Sequence, residues 1–333
     1  MVLVTGATGL IGSYLLLELS KRNKSIRAMK RKNSSLDAVQ NLFLEFSSLD
    51  KFQQIEWIEA DLLDIPSLTN LIKDVETIYH TAAVVSFNNH RKQQIHEVNV
   101  TGTENLVNSA ILGKVKNFIY TSSIAVLDKL SSETIISEES KWDSEKEYSE
   151  YAISKKKGEM TVWRGSQEGL DVLVIYPSVV IGSQDGKRAS ERLFQLAAKK
   201  KTYISEGTTG YVDVRDVAFS IAELVEQRKF NQSFILTSEN KSFVEVFDFL
   251  RSKWGMTSAR LLSKNKLKLI QKISQFGKWF GLNYMSKANY YALTDSVFYS
   301  NQKVKDVIGI EFFSVEEALE FHSRRYQDII KSL

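Results

Sequence analysis

The chain has 333 residues, of which 43% are hydrophobic and 25% charged. These are the proportions of an ordinary globular protein with a sizeable core and room for one large or two modest domains. It has no cysteine, which excludes disulfides, thiolate metal sites and cysteine nucleophiles. The four histidines (His80, His90, His96 and His322) show no metal-ligand spacing, so no metal is expected. The net charge of +4 comes from dispersed lysines, which argues against nucleic acid as a partner.

The first twenty residues are apolar but lack a charged leader, and Gly6 to Gly12 interrupt the run, so they read as mature structure. No uninterrupted apolar stretch reaches membrane-spanning length. A soluble, cytoplasmic protein without membrane contact is the expectation. The first element is a strand at Met1–Thr5, followed by Thr5-Gly6-Ala7-Thr8-Gly9-Leu10-Ile11-Gly12 and a helix over Ile11–Arg22. Strand, spaced glycines and helix together make an anion site from backbone. Gly6 allows the tight turn, Gly9 the approach of a pyrophosphate, and Gly12 close packing of helix on strand. The helix N-terminus then offers free N–H groups to phosphate.

Strands at Ser25–Met29, Ile55–Glu59, Thr77–Thr81, Asn117–Ser122 and Asp171–Tyr176 alternate with helices near Ser67–Lys73, Gln94–Leu112 and Tyr151–Gly165. That alternation predicts an α/β fold, a doubly wound parallel sheet of Rossmann type with right-handed crossovers. A strand at Tyr211–Asp213, a helix at Val214–Gln227 and a strand at Ser233–Leu236 are expected to return to the sheet. Helices are expected at Ser242–Lys253, Leu262–Phe280, Ser286–Val297 and Ser314–Ile330. Residues 1–177 and about 211–238 are therefore read as the dinucleotide-binding domain. Residues of about 178–210 and 239–333 are read as a smaller, mostly helical substrate lobe. No Pro/Gly-rich linker separates the two, so they are expected to interleave.

Tyr151-Ala152-Ile153-Ser154-Lys155 opens a predicted helix, and the four-residue spacing puts Tyr151 and Lys155 on one face. A phenol titrates near pH 10. A neighbouring ammonium, and the positive charge of an oxidised nicotinamide, would stabilise the tyrosinate. Tyr151 could then pass a proton to or from a substrate oxygen while hydride moves at carbon. The strand Phe118-Ile119-Tyr120-Thr121 runs into Ser122 and Ser123 at the carboxyl end, where such sheets bind ligands. Ser123 is the candidate donor to the substrate oxygen, and Ser122 is read as stabilising the turn.

Several motifs stand in a family order: the glycine loop, Asp61-Leu62, His80-Thr81-Ala82-Ala83, Asn99-Val100-Thr101-Gly102-Thr103, Ser122-Ser123, Tyr151 to Lys155, Tyr176-Pro177-Ser178 and Gly210 to Val217. With them the chain resembles the extended short-chain dehydrogenase/reductases of the NAD-dependent epimerase/dehydratase superfamily. Within these it is most similar to the dihydroflavonol-4-reductase-like branch. The resemblance implies cofactor contacts from Gly6, Thr8, Gly9, Leu10, Ile11, Gly12, Thr121, Tyr151, Lys155 and Tyr176. It implies adenine contacts from Asp61 and Leu62, a cleft lined by Ala82 and Ala83, and a central helix braced by Asn99. Pro177 and Ser178 would sit against the nicotinamide, and the protein would be a homodimer. Where the family often has Asn-Ala-Ala-Gly, this chain has His80-Thr81-Ala82-Ala83.

The predicted second strand is followed by Lys30-Arg31-Lys32 and no acid. An acid would favour NAD; cations favour a 2′-phosphate, with Arg31 suited to a bidentate grip and Lys32 beside it. NADP(H) is the expected cofactor and NAD(H) the alternative. The sugar-nucleotide dehydratases that the chain resembles carry Asp-Glu after the hydroxyl residue, where this chain has Ile124-Ala125. The corresponding epimerases carry an Asn and an Arg-Asp pair where this chain has Ser178 and Thr209-Gly210. The expected activity is therefore a carbonyl reductase or alcohol dehydrogenase acting on a small-molecule carbonyl or alcohol, with nucleotide-sugar epimerase as the second reading. A non-catalytic, cofactor-binding regulator on the same fold is the third, and retention of Ser123, Tyr151 and Lys155 argues against it.

Two charged segments complete the reading. Between Leu261 and Asn283 stand Lys264, Lys266, Lys268, Lys272 and Lys278 with no acid, and Leu262, Leu269, Ile273, Phe276 and Phe280 recur at helical spacing. Such a helix could lid an apolar substrate or touch a membrane surface, but packing on the core with a solvated basic face is the preferred expectation. The acidic stretch Glu133–Glu150 is expected to be a solvated loop that could border the substrate mouth.

Overall fold

The β-branched runs of the first half pair side by side in a single parallel sheet. The computed structural model describes residues 1–86, 89–128, 134–143, 145–186, 191–278 and 285–332. Its strands, in chain order, are β1 (Val2–Thr5), β2 (Ile26–Lys30), β3 (Glu56–Glu59), β4 (Thr77–His80), β5 (Asn117–Thr121), β6 (Asp171–Pro177), β7 (Val179–Ile181), β8 (Tyr203–Ile204), β9 (Thr208–Asp213), β10 (Gln232–Leu236), β11 (Glu239–Ser242) and β12 (Arg260–Leu261). Seven form the sheet β10-β6-β5-β4-β1-β2-β3, parallel throughout. The order reverses between β1 and β4, whose last residues, Thr5 and His80, are register partners. A doubly wound sheet opens its ligand crevice at that reversal.

Both faces of the sheet are covered, so its strands are apolar on both sides. Ile119, Leu173 and Ile175 face Leu15, Leu16 and Ile221, from the helices Leu10–Lys21 and Val214–Glu226. Phe118, Tyr120, Val172 and Val174 face Leu106 and Val162, from the helices Gly102–Leu112 and Glu150–Gln167. The alternation along β5 and β6 is the period of two that a pleated strand imposes.

Four expectations need correction. First, β9 does not join the main sheet. β10 takes the edge of β6, with Gln232–Leu236 paired to Leu173–Pro177, so β9 lies between β7 and β11 in a three-stranded sheet. Second, the helix expected over Gln94–Leu112 is broken: Lys92–His96 and Gly102–Leu112 are joined by a π-helical turn, Glu97–Thr101. Wider turns of this kind re-aim a side chain, here Asn99.

Third, Glu138 is not a solvated loop residue; its carboxylate accepts a 2.8 Å hydrogen bond from the Ile235 amide of β10. Burial accordingly raises its pKa. Glu133, in the same stretch, lies outside the described residues. Fourth, the basic helix Lys264–Lys278 turns Leu269 and Ile273 to solvent, 58% and 60% exposed, and buries Leu267. The expected contribution of Phe280 lies outside the described residues, as do the surroundings of Phe276.

The C-terminal helix Val315–Ser332 returns to the first half of the chain. His322, fully buried, lies 3.1 Å from Ser183 Oγ through Nδ1 and 3.3 Å from Asp213 Oδ1 through Nε2. Arg325 donates to the Ser183 carbonyl, to the Tyr14 hydroxyl and to the Glu45 carboxylate. The glycine-loop helix is thereby tied to the last helix of the chain.

The helix Glu150–Gln167 crosses the π turn with no room to spare. A Cβ on Gly158 would stand 2.5 Å from the Tyr120 hydroxyl and 2.8 Å from the Asn99 carbonyl. Gly158→Ala is expected to destabilise the fold by about 1–3 kcal/mol, the usual effect of overpacking, read as a lower urea midpoint at unchanged m-value. An unchanged midpoint would mean that the two helices separate freely.

Candidate active site

The crevice begins at the glycine loop. Gly6 has φ +67°, and a Cβ there would lie 2.6 Å from the Ala82 amide nitrogen; one on Gly12 would lie 2.2 Å from the Gly6 carbonyl. Loop, first helix and the segment after β4 therefore touch through backbone. The helix Leu10–Lys21 starts at Gly9 with no side-chain cap and no acid in its first turn, so its leading N–H groups await an anion. A Cβ on Gly9 would meet just the Gly6 carbonyl, at 3.1 Å, leaving the approach to the loop open. Thr8 offers its carbonyl to Gln184 Nε2 at 3.0 Å. No sequence signal marked Gln184, because its partner is 176 positions away.

Ser123 follows β5, and its Oγ accepts from the Ala125 amide at 3.2 Å. Tyr151 stands in the first turn of the helix Glu150–Gln167, which Ser149 caps by accepting from the Ala152 amide at 3.2 Å. Burial pushes the Tyr151 phenol up, and the Ser123 hydroxyl opposes the rise. One turn on, Lys155 is 2% exposed, with Nζ 4.2 Å from the centre of the Tyr120 ring. Burial draws its ammonium down to about 7, against the pull of Glu159.

Sequence reading missed Glu159. It is 2% exposed and accepts from Ser122 Oγ at 3.0 Å, from the Tyr176 hydroxyl at 3.1 Å and from Lys156 Nζ at 3.0 Å. The Ser122 hydroxyl, expected to stabilise the turn, is instead directed at Glu159, and the Tyr176 hydroxyl is engaged there too. The signal was present: residues 151, 155 and 159 share a helical face.

Asn99 is 1% exposed. Its Oδ1 accepts from the Val84 amide at 2.7 Å, and its Nδ2 donates to the Val84 carbonyl and to Ser154 Oγ, both at 3.0 Å. One amide therefore joins the segment after Ala82 and Ala83 to the Tyr151 helix. His80 is fully buried between Thr5 Oγ1, at 2.7 Å, and Thr103 Oγ1, at 3.0 Å. Thr103 donates to the Asn99 carbonyl, so it accepts from His80 Nε2–H, and Thr5 donates to Nδ1. Burial, and secondarily Lys155, lowers the imidazole to about 3, so His80 is a neutral tie.

The remaining candidates differ in exposure. Asp61 is exposed, with Oδ1 accepting from the Leu63 amide at 2.9 Å. Leu62 is buried, and its carbonyl accepts from Asn105 at 2.9 Å. Ala82 and Ala83 are half-buried, Leu10 and Pro177 buried, Ile11 half-buried, and Arg31 and Lys32 exposed past β2. Thr121 Oγ1 and Ser178 Oγ, at the ends of β5 and β6, are buried with no hydrogen-bond partner among the described residues. Orphaned hydroxyls, an uncapped helix and an open glycine loop on one crevice are what a dinucleotide would satisfy. The residues present fit such a cofactor.

A switch-point crevice of this construction defines a dinucleotide-binding protein of Rossmann type. The sequence matches the model of the NAD dependent epimerase/dehydratase family over residues 2–234, and the chain belongs to that family. It is 28% identical over 267 residues to tetraketide alpha-pyrone reductase 2 of Arabidopsis thaliana, covering 76% of this chain and 82% of that one. It is 31% identical over 239 residues to cinnamoyl-CoA reductase 1 of Petunia hybrida, covering 68% and 69%. Among solved structures, gox2253 superposes with TM-score 0.84 at 24% identity over 98% of both chains. UDP-glucose 4-epimerase of Thermotoga maritima superposes with TM-score 0.77 at 18% identity over 99% of both. At these identities the structural likeness speaks for the fold.

Lys155 titrates below its unfolded value of about 10.4. The folded state therefore binds fewer protons than the unfolded chain between about pH 7 and 10.4, and stability rises with pH across that window. The burial penalty is complete below pH 7. Lys155→Met is expected to stabilise the cofactor-free protein by about 1–3 kcal/mol at pH 6, with the gain fading toward pH 10. Melting curves at the two pH values check this; equal destabilisation at both would contradict it.

Proposed function

We propose that the protein is an NADP(H)-dependent carbonyl reductase/alcohol dehydrogenase. The observation that carries this reading is the Tyr151 phenol, whose rise in pKa the Ser123 hydroxyl opposes, one helical turn from buried Lys155 and at the carboxyl end of β5. The substrate would be received between the dinucleotide-binding part (1–177 and about 211–238) and the lobe formed by about 178–210 and 239–333. When bound, the nicotinamide would supply or accept the hydride.

In the reducing direction Ser123 donates a hydrogen bond to the carbonyl oxygen, and Tyr151 gives that oxygen its proton as charge develops on it. The resulting phenolate is stabilised by the Lys155 ammonium, and Glu159 favours the charged form of Lys155. In the oxidising direction the same phenolate takes the proton of the alcohol. Pro177 and Ser178 line the nicotinamide end, and Gly6 to Gly12 hold the pyrophosphate. Asp61 and Leu62 border the adenine, and Arg31 with Lys32 receives the 2′-phosphate.

Reduction is favoured over sugar-nucleotide epimerisation by the surroundings of Gly210. A Cβ there would lie 2.5 Å from Thr237 Oγ1 and 3.0 Å from Ser178 Cβ, so the aspartate of the epimerases' Arg-Asp pair has no room at that position, and Thr209 stands in place of the diphosphate-binding arginine. Relatives named as reductases of an alpha-pyrone and of cinnamoyl-CoA support a neutral, largely apolar carbonyl group as the reacting centre.

An NADPH-oxidation screen over aldehydes, ketones, aromatic carbonyl compounds and nucleotide sugars tests the reading. Tyr151→Phe is expected to lower kcat by about 10²–10⁴ while NADPH affinity is kept. Arg31→Ala is expected to weaken NADPH binding by about tenfold and to leave NADH binding unchanged. Inversion of a UDP-sugar with no net cofactor consumption would overturn the proposal, as would turnover that survives Tyr151→Phe.

A further inference from the structure

The helix Lys264–Lys278 is oriented against the usual rule for a surface helix. Its inward stripe is Leu267, Gln271 and Ser274, spaced i, i+4, i+7; Leu267 is 4% exposed and the two polar residues are half-buried. Its outward stripe is apolar: Leu269 is 58%, Ile270 44% and Ile273 60% exposed. A helix whose sole task was to cover the core would turn the second set inward. Lys266 lies in the outward row, and Lys268 and Lys272 follow along one flank, all exposed. The apolar surface continues beyond this helix, since Leu261 is 49% exposed just before it. The helix Lys287–Thr294 packs against it through the Tyr290 hydroxyl, 3.5 Å from the Lys264 carbonyl, and exposes Tyr291 by 54%.

We infer that this face docks on an anionic lipid bilayer, with the helix lying in the plane of the interface. Leu269, Ile270 and Ile273 would enter the boundary between headgroups and acyl chains, and Lys266, Lys268 and Lys272 would meet lipid phosphates. Charge selects this occupant. No aspartate or glutamate stands between Asp248 and Asp295, so the segment attracts an anionic surface along its whole length. A second copy of the chain is disfavoured, because a two-fold contact through this face would lay one lysine row on another. The contact is superficial: among the described residues no helix is long and apolar enough to cross a membrane.

The test is co-sedimentation of the full chain with phosphatidylglycerol/phosphatidylcholine vesicles and with pure phosphatidylcholine vesicles, at low and high salt. About tenfold greater partition onto the anionic vesicles is expected, reduced by salt. It should be lost in both Leu269→Glu/Ile273→Glu and Lys268→Glu/Lys272→Glu, with Tm and NADPH affinity unchanged in each. Equal partition onto both vesicles, or none, overturns the inference. A dimer in lipid-free buffer that Leu269→Glu/Ile273→Glu converts to monomer also overturns it and assigns the face to a second copy. A raised KM for that variant in lipid-free buffer overturns it in favour of a substrate lid.

Discussion

A lysine ammonium is difficult to keep away from water, and much of the crevice is arranged around Lys155. Removed from solvent, Lys155 rests on the face of the Tyr120 ring, with buried Glu159 as the carboxylate that favours its charge. Desolvation still prevails and draws it down to about 7. Other features serve this arrangement. Gly158 lets the helix come within contact of Tyr120 and of the π turn, while Ser122 and Tyr176 donate to Glu159. Asn99 fastens the same helix, through Ser154, to the segment beyond β4. A buried, nearly balanced cation is a sensitive device: small changes in the field across the crevice decide whether it is charged.

The two ends of the crevice are built by different means. The glycine-loop end is backbone: close-packed glycines and an uncapped helix terminus, which offers N–H donors with no titratable group of its own. The opposite end is titratable side chains, Tyr151 and Lys155 above all. His80 sits between the ends without joining the chemistry, since its ring is locked by Thr5 and Thr103 and kept neutral.

Local pattern carried the sequence reading far. The alternation of β-branched runs and helical periods placed all seven strands of the main sheet within a residue or two, because most of these runs are buried in the layered core. The glycine loop and the Tyr151–Lys155 spacing are likewise local, and the structure brings both to one crevice. Pairings set by competition between distant segments were not legible. β9 reads like a strand of the main sheet, but β10 holds the place beside β6, and nothing within Thr208–Asp213 reveals that. Glu138 looked like part of a solvated acidic run because its partner, the Ile235 amide, is 97 positions away. The basic helix was recognised as amphipathic, yet periodicity does not say which stripe meets the core. Among its described side chains, the buried one is Leu267, with two half-buried polar neighbours.

The balance struck at Lys155 can be observed directly by following the side-chain carbon resonances of isotopically labelled lysine against pH in the cofactor-free protein, with Lys155→Arg identifying the signal. The account predicts one lysine that titrates near pH 7, absent from the Lys155→Arg spectrum. A spectrum in which no signal lost in Lys155→Arg titrates near pH 7 would contradict it.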